Sequence, residues 1–277
     1  MTSSLLRPLG RTRSGAGMSG GAVPEGSTAP TRILDWRDPR VAALVRELGA
    51  ADPTDPAAPA DPVRQIEALH RAHAWIAAAV RPVYSVQDER PVSEVLRRGR
   101  GSCSQRLAVL EAVARASGVP TRVRGLLVDG TFWYPRFPRL RRIVPDQVLL
   151  AWPEFHVGAE GACASWLTVS ELLGGLRPVA AERGGVFTNA GSETLFEALA
   201  RTAIDWDAAP AACPGGGAGP GAGGGAGAAA ACDLSAYVLR DLGHYDSRDE
   251  LFERHGQTLC GLARLVAEPV LGRRGAA

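Results

Sequence analysis

Lysine is absent from this chain: all 31 basic residues are arginine, and 29 acidic residues leave a formal net charge of only +2. A charge this close to zero gives no electrostatic attraction toward nucleic acid or an anionic membrane surface. Because glycine and proline are abundant as well, with 33 and 20 residues, we interpret the arginine usage as a trait of genome composition. The sequence therefore predicts no nucleic-acid partner.

Long apolar runs are also missing. No stretch of 18 apolar residues occurs, which predicts no membrane span. The first residues lack the apolar core of 7–15 residues that a secretory signal needs, so a cytoplasmic location is the default expectation. The five cysteines are odd in number and irregularly spaced, without a Cys-x-x-Cys pair, which argues against a disulfide scaffold or structural zinc. We expect reduced thiols, no metal and no cofactor.

Low-complexity segments divide the chain. Residues 1–30 are rich in Ser, Gly, Thr and Arg and predict a disordered tail, in which Met18 is an alternative start. Residues 207–232 are largely Gly and Ala and predict a flexible loop. Between them, residues 31–206 are expected to form one folded domain. Residues 233–277 are expected to form a C-terminal helical extension that packs on it.

The most informative stretch runs from residue 98 to residue 120. Gly101 allows a sharp turn, Ser102 is a favourable N-cap, and Cys103 opens a helix that ends at Gly118. A thiol at a helix N-terminus meets the positive end of the helix dipole, so we expect a lowered pKa and a nucleophilic Cys103. The alternative is a small side chain that packs a tight loop–helix corner.

The other periodicities predict a mixture of helices and strands. Asp38 and Asp61, each followed by proline, are expected to cap two helices. Asp129-Gly130 is a strong hairpin turn, from which residues 131–134 are expected to pair back. Strands are predicted at 121–128, 146–157 and 166–169, and helices at 193–204, 233–242 and 247–270.

These elements resemble the transglutaminase-like superfamily, which has a papain-like fold. The resemblance is carried by Gly101-Ser-Cys103, then by a helix that ends in Ala116-Ser-Gly-Val-Pro-Thr-Arg122, then by a strand. It implies an α+β core in which the Cys-bearing helix packs on an antiparallel sheet. It also implies a Cys-His-Asp triad that performs acyl transfer or amide hydrolysis through a thioester.

Two triad positions differ from the family pattern, in which Asp-His-x-Trp-x-Glu opens a strand. In Pro145-Asp-Gln-Val-Leu-Leu-Ala-Trp152, Gln147 is interpreted as standing in the place of the His. On the next strand, Ser170 stands where the Asp is expected. Gln cannot accept and return a proton, so the family mechanism does not transfer unaltered.

Other side chains are candidates for the missing base. The predicted catalytic set is Cys103, Gln147, Asp146 and His255, with Gln147 holding a carbonyl or orienting a water molecule. His255 lies next to a glycine and can equally be an exposed helix histidine. His156 lies on the same strand as Gln147, but alternation places it on the opposite face unless the strand is bulged.

Another histidine lies in the C-terminal part, and a pair lies in the second helix. His244 is in a segment that can pack over the cleft. His70 and His73, three residues apart, share a helix face and suit either metal ligation or the core. No carboxylate or Cys accompanies this pair as a motif, which favours the core.

Two functions remain open at this point. One is a cysteine-dependent acyl transferase or amide hydrolase that acts on a peptide or small-molecule substrate through Cys103, with a non-standard base. The other is a catalytically silent transglutaminase-fold module that binds a peptide or small molecule in the former cleft.

Overall fold

A computed structural model describes residues 24–49, 61–138, 141, 144–158, 165–174, 187–207 and 232–258. Helices and an antiparallel sheet are combined around one hydrophobic core, which confirms the predicted α+β class. The helices are α1 (Pro39–Glu47), α2 (Pro62–Ala79), α3 (Val92–Arg98), α4 (Cys103–Ala116), α5 (Val169–Gly174), α6 (Leu195–Ala198) and α7 (Arg248–His255).

The main sheet has four strands in the order β5-β4-β3-β8, and its neighbours are antiparallel. Two short parallel pairs, β1 with β2 and β6 with β7, lie outside it. The strands are β1 (Arg81–Pro82), β2 (Arg100–Gly101), β3 (Thr121–Asp129), β4 (Gln147–Val157), β5 (Ser165–Thr168), β6 (Ile204–Asp205), β7 (Cys232–Asp233) and β8 (Val238–Tyr245).

Helix starts follow the predicted capping chemistry. The Asp38 carboxylate accepts the N–H of Arg40 at α1, and the Asp61 carboxylate accepts the N–H of Val63 at α2. Each cap is followed by a proline, whose missing N–H costs nothing in the first turn. Gly118, at a φ of +78°, follows the end of α4, as predicted.

Helix α4 lies at the centre of the molecule. The sequence predicts one buried stripe, but all twelve residues from Gln105 to Ala116 are buried, including Arg106, Glu111 and Arg115. Because α1, α2, α3, α6 and the sheet all contact this helix, no side of it is left for solvent. Its polar side chains therefore need partners inside the protein.

The described part of the predicted C-terminal helical extension, residues 233–258, begins with a strand, and residues 259–277 lie outside the described residues. The helix predicted at 233–242 is wrong: residues 238–245 are β8, which pairs with β3 and completes the sheet of the same domain. Pairing with a long central strand outweighs a weak helix pattern, and Gly243 adopts a φ of +85° that a helix does not allow. Helix α7 confirms the predicted cap at Ser247.

Three other expectations need correction. Residues 130–133 form a 3₁₀ turn instead of a returning strand, because the N–H of Gly130 is taken by the Asp146 carbonyl. The helix predicted at 193–204 is only α6. Residues 24–30 were included in the predicted tail, but Ser27 bridges Thr121. Residues 1–23 and 208–231 lie outside the described residues.

Pro153 explains where β5 begins to pair. The sequence predicts an edge or bulged strand at this proline, whereas β4 lies inside the sheet, with Pro153 opposite Val123 of β3. On the other side of β4, pairing with β5 starts only at Glu154. The proline therefore lies just beyond the last pair, where its missing N–H leaves no β5 acceptor unpaired.

Helix α7 is connected to α4 by a fully buried ion pair. Arg248 donates to the Glu111 carboxylate at 2.5 Å, and both side chains are 0% exposed. The same guanidinium reaches the hydroxyl of Ser104 and the carbonyl of Ala151 on β4. Burial raises the pKa of Glu111, and the Arg248 charge opposes that effect.

Removing one partner of this pair is expected to destabilise the fold. Arg248→Met leaves the Glu111 carboxylate buried without a cation, so the free energy of unfolding should fall by about 3–5 kcal/mol. The double variant Glu111→Leu/Arg248→Met should lose less than Arg248→Met alone, because no buried charge remains. Urea unfolding at neutral pH measures both.

The matched control is Arg64→Met. Arg64 pairs with Asp61 at the surface and its side chain is 85% exposed, so its loss should cost at most about 1 kcal/mol. Equal losses for Arg64→Met and Arg248→Met would contradict the role of the buried pair.

Candidate functional site

Cys103 is the first residue of α4. Its loop is fixed because Gly99 and Gly101 of the preceding segment accept backbone N–H groups from Arg81 and Val83. Ser102 caps the helix in a capping box: its hydroxyl accepts the N–H of Gln105, and the Gln105 side-chain oxygen accepts the N–H of Ser102. The predicted loop–cap–helix geometry around the thiol is therefore present.

The ionisation of the thiol is opposite to the expectation. Cys103 packs against the core, and burial raises the pKa of its thiol to about 12. The charges of Arg106 and Arg248 lower the pKa, Glu197 raises it, and the sum does not offset burial. Desolvation of a thiolate outweighs the favourable helix end. Burial therefore favours the neutral thiol at Cys103.

Phe196 of α6 lies beside the thiol of Cys103, a residue that is partly exposed. A hydrogen bond from the Phe196 backbone to Cys103 lowers the thiol pKa. Only a donor stabilises the thiolate, so the group involved is the backbone N–H of Phe196. The carbonyl of the same residue accepts from Nε2 of His73 at 2.8 Å. Its ring stacks on the His73 imidazole at 4.3 Å, and the Arg106 guanidinium carbon lies 4.2 Å from the ring centre.

Gln147 and Asp146 do not join Cys103. Both are exposed, and Gln147 is the first residue of β4, paired with Asp129 at the end of the hairpin. The backbone carbonyl of Asp146 accepts the N–H of Gly130. Within the described residues, neither side chain hydrogen-bonds to Cys103, so their predicted catalytic roles gain no geometric support.

The histidines of the C-terminal part bind elsewhere. Nε2 of His255 lies 2.7 Å from the hydroxyl of Tyr245, which itself donates to the Leu242 carbonyl. His255 therefore donates to that hydroxyl, and burial lowers the pKa of His255. His244 contacts Glu154. Neither imidazole hydrogen-bonds to the Cys103 thiol within the described part of the chain.

The remaining histidines are structural in this conformation. His156 packs against Trp166 at 5.0 Å. His70 and His73 direct their Nε2 atoms to different backbone carbonyls, those of Leu172 and Phe196. They do not converge on one point, and the described residues contain no cluster of three or more His, Cys, Asp or Glu able to hold a metal ion.

Comparison with known families identifies the domain. Residues 48–170 match the model of the transglutaminase-like superfamily, a range that contains α2 to β5 and the Cys103 loop. This part of the chain is a transglutaminase-like domain. No curated protein and no solved structure gives a significant match to this chain. None of the described helices is long and apolar enough to cross a lipid bilayer.

Two residues of the family motifs form an ion pair in the structure, and we use this pair to align the family pattern with the sequence. Arg122, of the Val-Pro-x-Arg motif, donates to the Glu154 carboxylate at 2.7 Å. Their side chains are only 11% and 8% exposed. Glu154 follows Trp152 in the spacing Trp-x-Glu, so the family pattern aligns on these two residues.

Counting back from Trp152 places the family histidine at Leu150, not at Gln147. Side chains alternate along a strand, so Leu150, Trp152 and Glu154 share one face, whereas Gln147 points to the other. Trp152 is 1% exposed and packs edge-on against Trp206. Leu150 is 7% exposed. On this spacing we interpret Leu150, three positions beyond Gln147, as the counterpart of the family histidine.

Ser170, which we interpret as standing in the position of the family aspartate, binds a backbone group. Ser170 is 3% exposed, and its Oγ accepts the backbone N–H of Ile204 in β6. It therefore holds a strand in place instead of orienting an imidazole.

Sequence reasoning missed Phe196 and Glu197 next to Cys103, and it considered Arg106 only as a flanking positive charge. Arg106, Phe196 and Glu197 carry no family motif, and His73 was considered only as a metal ligand or core residue. One signal was available: Arg106 lies on a helix with an apolar stripe, and an arginine that becomes buried there needs an acidic partner. That partner is Glu197.

The Arg122–Glu154 pair should make stability depend on pH. Burial alone raises the pKa of Glu154, but the hydrogen bonds from His244 and Arg122 outweigh it, and the net pKa is lowered. A carboxyl with a lowered folded-state pKa stabilises the fold above its unfolded pKa of about 4.3, and this stabilisation is lost as the pH falls.

Arg122→Met should lower the free energy of unfolding by about 2 kcal/mol at pH 7, since a charge-assisted hydrogen bond is lost. The deficit should shrink below about pH 4.3, as Glu154 protonates in both proteins. Urea unfolding at pH 7 and at pH 3 measures the change. In a Glu154→Gln background, Arg122→Met should cost about the same at both pH values. An undiminished deficit at pH 3 in the parent background would exclude the ion pair as its source.

Proposed function

We propose that this transglutaminase-like domain is a non-catalytic binding module, which takes a peptide or small molecule at the site around Cys103. The observation that carries the proposal is Leu150 in the position of the family histidine. A leucine side chain can neither accept nor return a proton, and general acid–base help contributes roughly 10²–10⁴-fold to such reactions.

The state of the thiol supports the same conclusion. With a pKa of about 12, Cys103 lacks the ionised sulfur that attacks a carbonyl. A catalytic cysteine needs either a lowered pKa or an adjacent base. The Phe196 backbone N–H is hydrogen-bonded to the thiol, and His73 is bound to the carbonyl of that same residue. The retained loop and cap then serve to shape a cleft.

The second candidate is a cysteine-dependent acyl transferase or amide hydrolase that acts through a thioester at Cys103. Its specific support is the position of the thiol at the start of α4, where the Arg106 and Arg248 charges both act to lower its pKa. In this interpretation, exposure of the thiol to water lowers its pKa, because the effect of burial is removed. His73 is then the imidazole connected to Cys103 through Phe196.

Iodoacetamide labelling against pH separates the two candidates. At pH 7 a thiol of pKa about 12 has a thiolate fraction roughly a thousandfold below that of a free cysteine, so Cys103 in the folded protein should label about that much more slowly. The rate should rise through pH 9 without a plateau. Mass spectrometry of the Cys103 peptide measures it, with urea-unfolded protein as the free-thiol control.

Ammonia release or hydroxamate formation from glutamine peptides is the accompanying activity test. The parent protein and Cys103→Ser should be equal in both assays. Rapid labelling of Cys103 at pH 6, together with an activity that Cys103→Ser abolishes, would overturn the binding module in favour of the enzyme.

A further inference from the structure

The residues next to Phe196 form a segment that closes over Cys103. We name residues 187–199 the strap. Its central part is α6, a single turn of four residues, in which Leu195, Phe196 and Ala198 belong to the hydrophobic core. Phe196 and Glu197 also contact Arg106. Before α6, the Arg136 side chain holds the strap through Asn189 and the carbonyl of Gly191.

Arg106 provides the charge of this site. It is 0% exposed, and its Nη1 donates to the Glu197 carboxylate and reaches the Thr194 hydroxyl. Nη2 reaches the Ala77 carbonyl, while the buried Nε has no hydrogen-bond partner. A buried guanidinium with an unused donor is unfavourable, so this group is only partly satisfied by the strap.

The strap is bound at three kinds of contact. The Phe196 ring stacks on His73 and lies under the Arg106 guanidinium, a cation–π arrangement. The Glu197 carboxylate pairs with Arg106. The Phe196 backbone engages Cys103 and His73 through its N–H and carbonyl. An aromatic ring, a carboxylate and a peptide backbone are all features of a short peptide segment.

We infer that Phe196-Glu197 is an internal ligand, occupying a recognition site formed by His73, Cys103 and Arg106. The external partner of this site is a peptide with an aromatic residue followed directly by an acidic one. Such a peptide replaces the ring, the carboxylate and the backbone contacts of the strap. This inference rests on the proposed function and specifies its partner.

Competition between strap and peptide makes the affinity depend on how firmly the strap is held. A site that is available only in a fraction of molecules binds with an affinity reduced by that fraction. Glu197→Gln removes the carboxylate charge opposite Arg106 and keeps the size of the side chain. It weakens the strap and should free the site for a peptide added in solution.

The probe is a fluorescein-labelled peptide with the sequence of residues 192–201, Ser-Glu-Thr-Leu-Phe-Glu-Ala-Leu-Ala-Arg. In fluorescence anisotropy, full-length Glu197→Gln should bind it about tenfold more tightly than the parent protein. Glu193→Gln is the matched control, because Glu193 lies in the strap but pairs with Arg201. It should bind like the parent. A probe with alanine in place of its phenylalanine should not bind.

Phe196→Ala provides a second test with a different readout. It empties the ring position, so iodoacetamide labelling of Cys103 should accelerate, and the probe peptide should slow it again by covering the sulfur. Melting curves confirm that each variant is folded. No probe binding to Glu197→Gln and Phe196→Ala at millimolar peptide, or equal binding of the alanine probe, would overturn the inference.

The outcomes distinguish this inference from the proposed function. If the peptide does not bind and Cys103 is unreactive and inactive, the internal-ligand inference is rejected and the proposed binding module is kept. Peptide binding accompanied by a Cys103-dependent amide cleavage keeps the recognition site and removes the non-catalytic assignment.

Discussion

The structure depends on the burial of polar side chains along α4. A helix enclosed on every side gains apolar contacts, but each charged group on it must find a partner or carry a large desolvation cost. Arg106 pairs with Glu197 of α6, Glu111 with Arg248 of α7, and Arg115 donates to Ala29 and Thr121. These pairs fix where the elements around the helix lie. The strap and α7 are thus positioned by α4, whose first residue is Cys103.

Local chemistry explains why much of this fold could be predicted. The caps of α1, α2 and α4 use side chains within three residues of the backbone they satisfy, so a single short window contains the whole signal. The strand β8 could not be found in this way. Its partner β3 is more than a hundred residues away, and the pairing that decides its conformation is tertiary.

The site was harder to predict because its physics is also nonlocal. The position of Cys103 at a helix start favours a thiolate, and this is visible in the sequence. The opposing effect is burial, which raises the thiol pKa. Burial depends on segments far along the chain, such as the one around Phe196, and has no signature near residue 103. The choice between Gln147 and Leu150 depends on how the family motif is aligned. The motif was aligned on its polar residue, whereas the Arg122–Glu154 pair shows that the spacing from Trp152 is what the fold retains.

The replaced triad positions and the raised thiol pKa are both consistent with an apolar environment that disfavours charge. Leu150 and Trp152 are both buried, which makes this part of β4 apolar, and an imidazolium formed there would lack solvation. A thiolate at Cys103 faces the same penalty under Phe196. With neither charge stabilised, the site around Cys103 offers groups that need no proton transfer. They are a stacking surface at His73, a guanidinium at Arg106, and hydrogen-bonding groups for a peptide backbone. These are the requirements of recognition, and the strap already meets them.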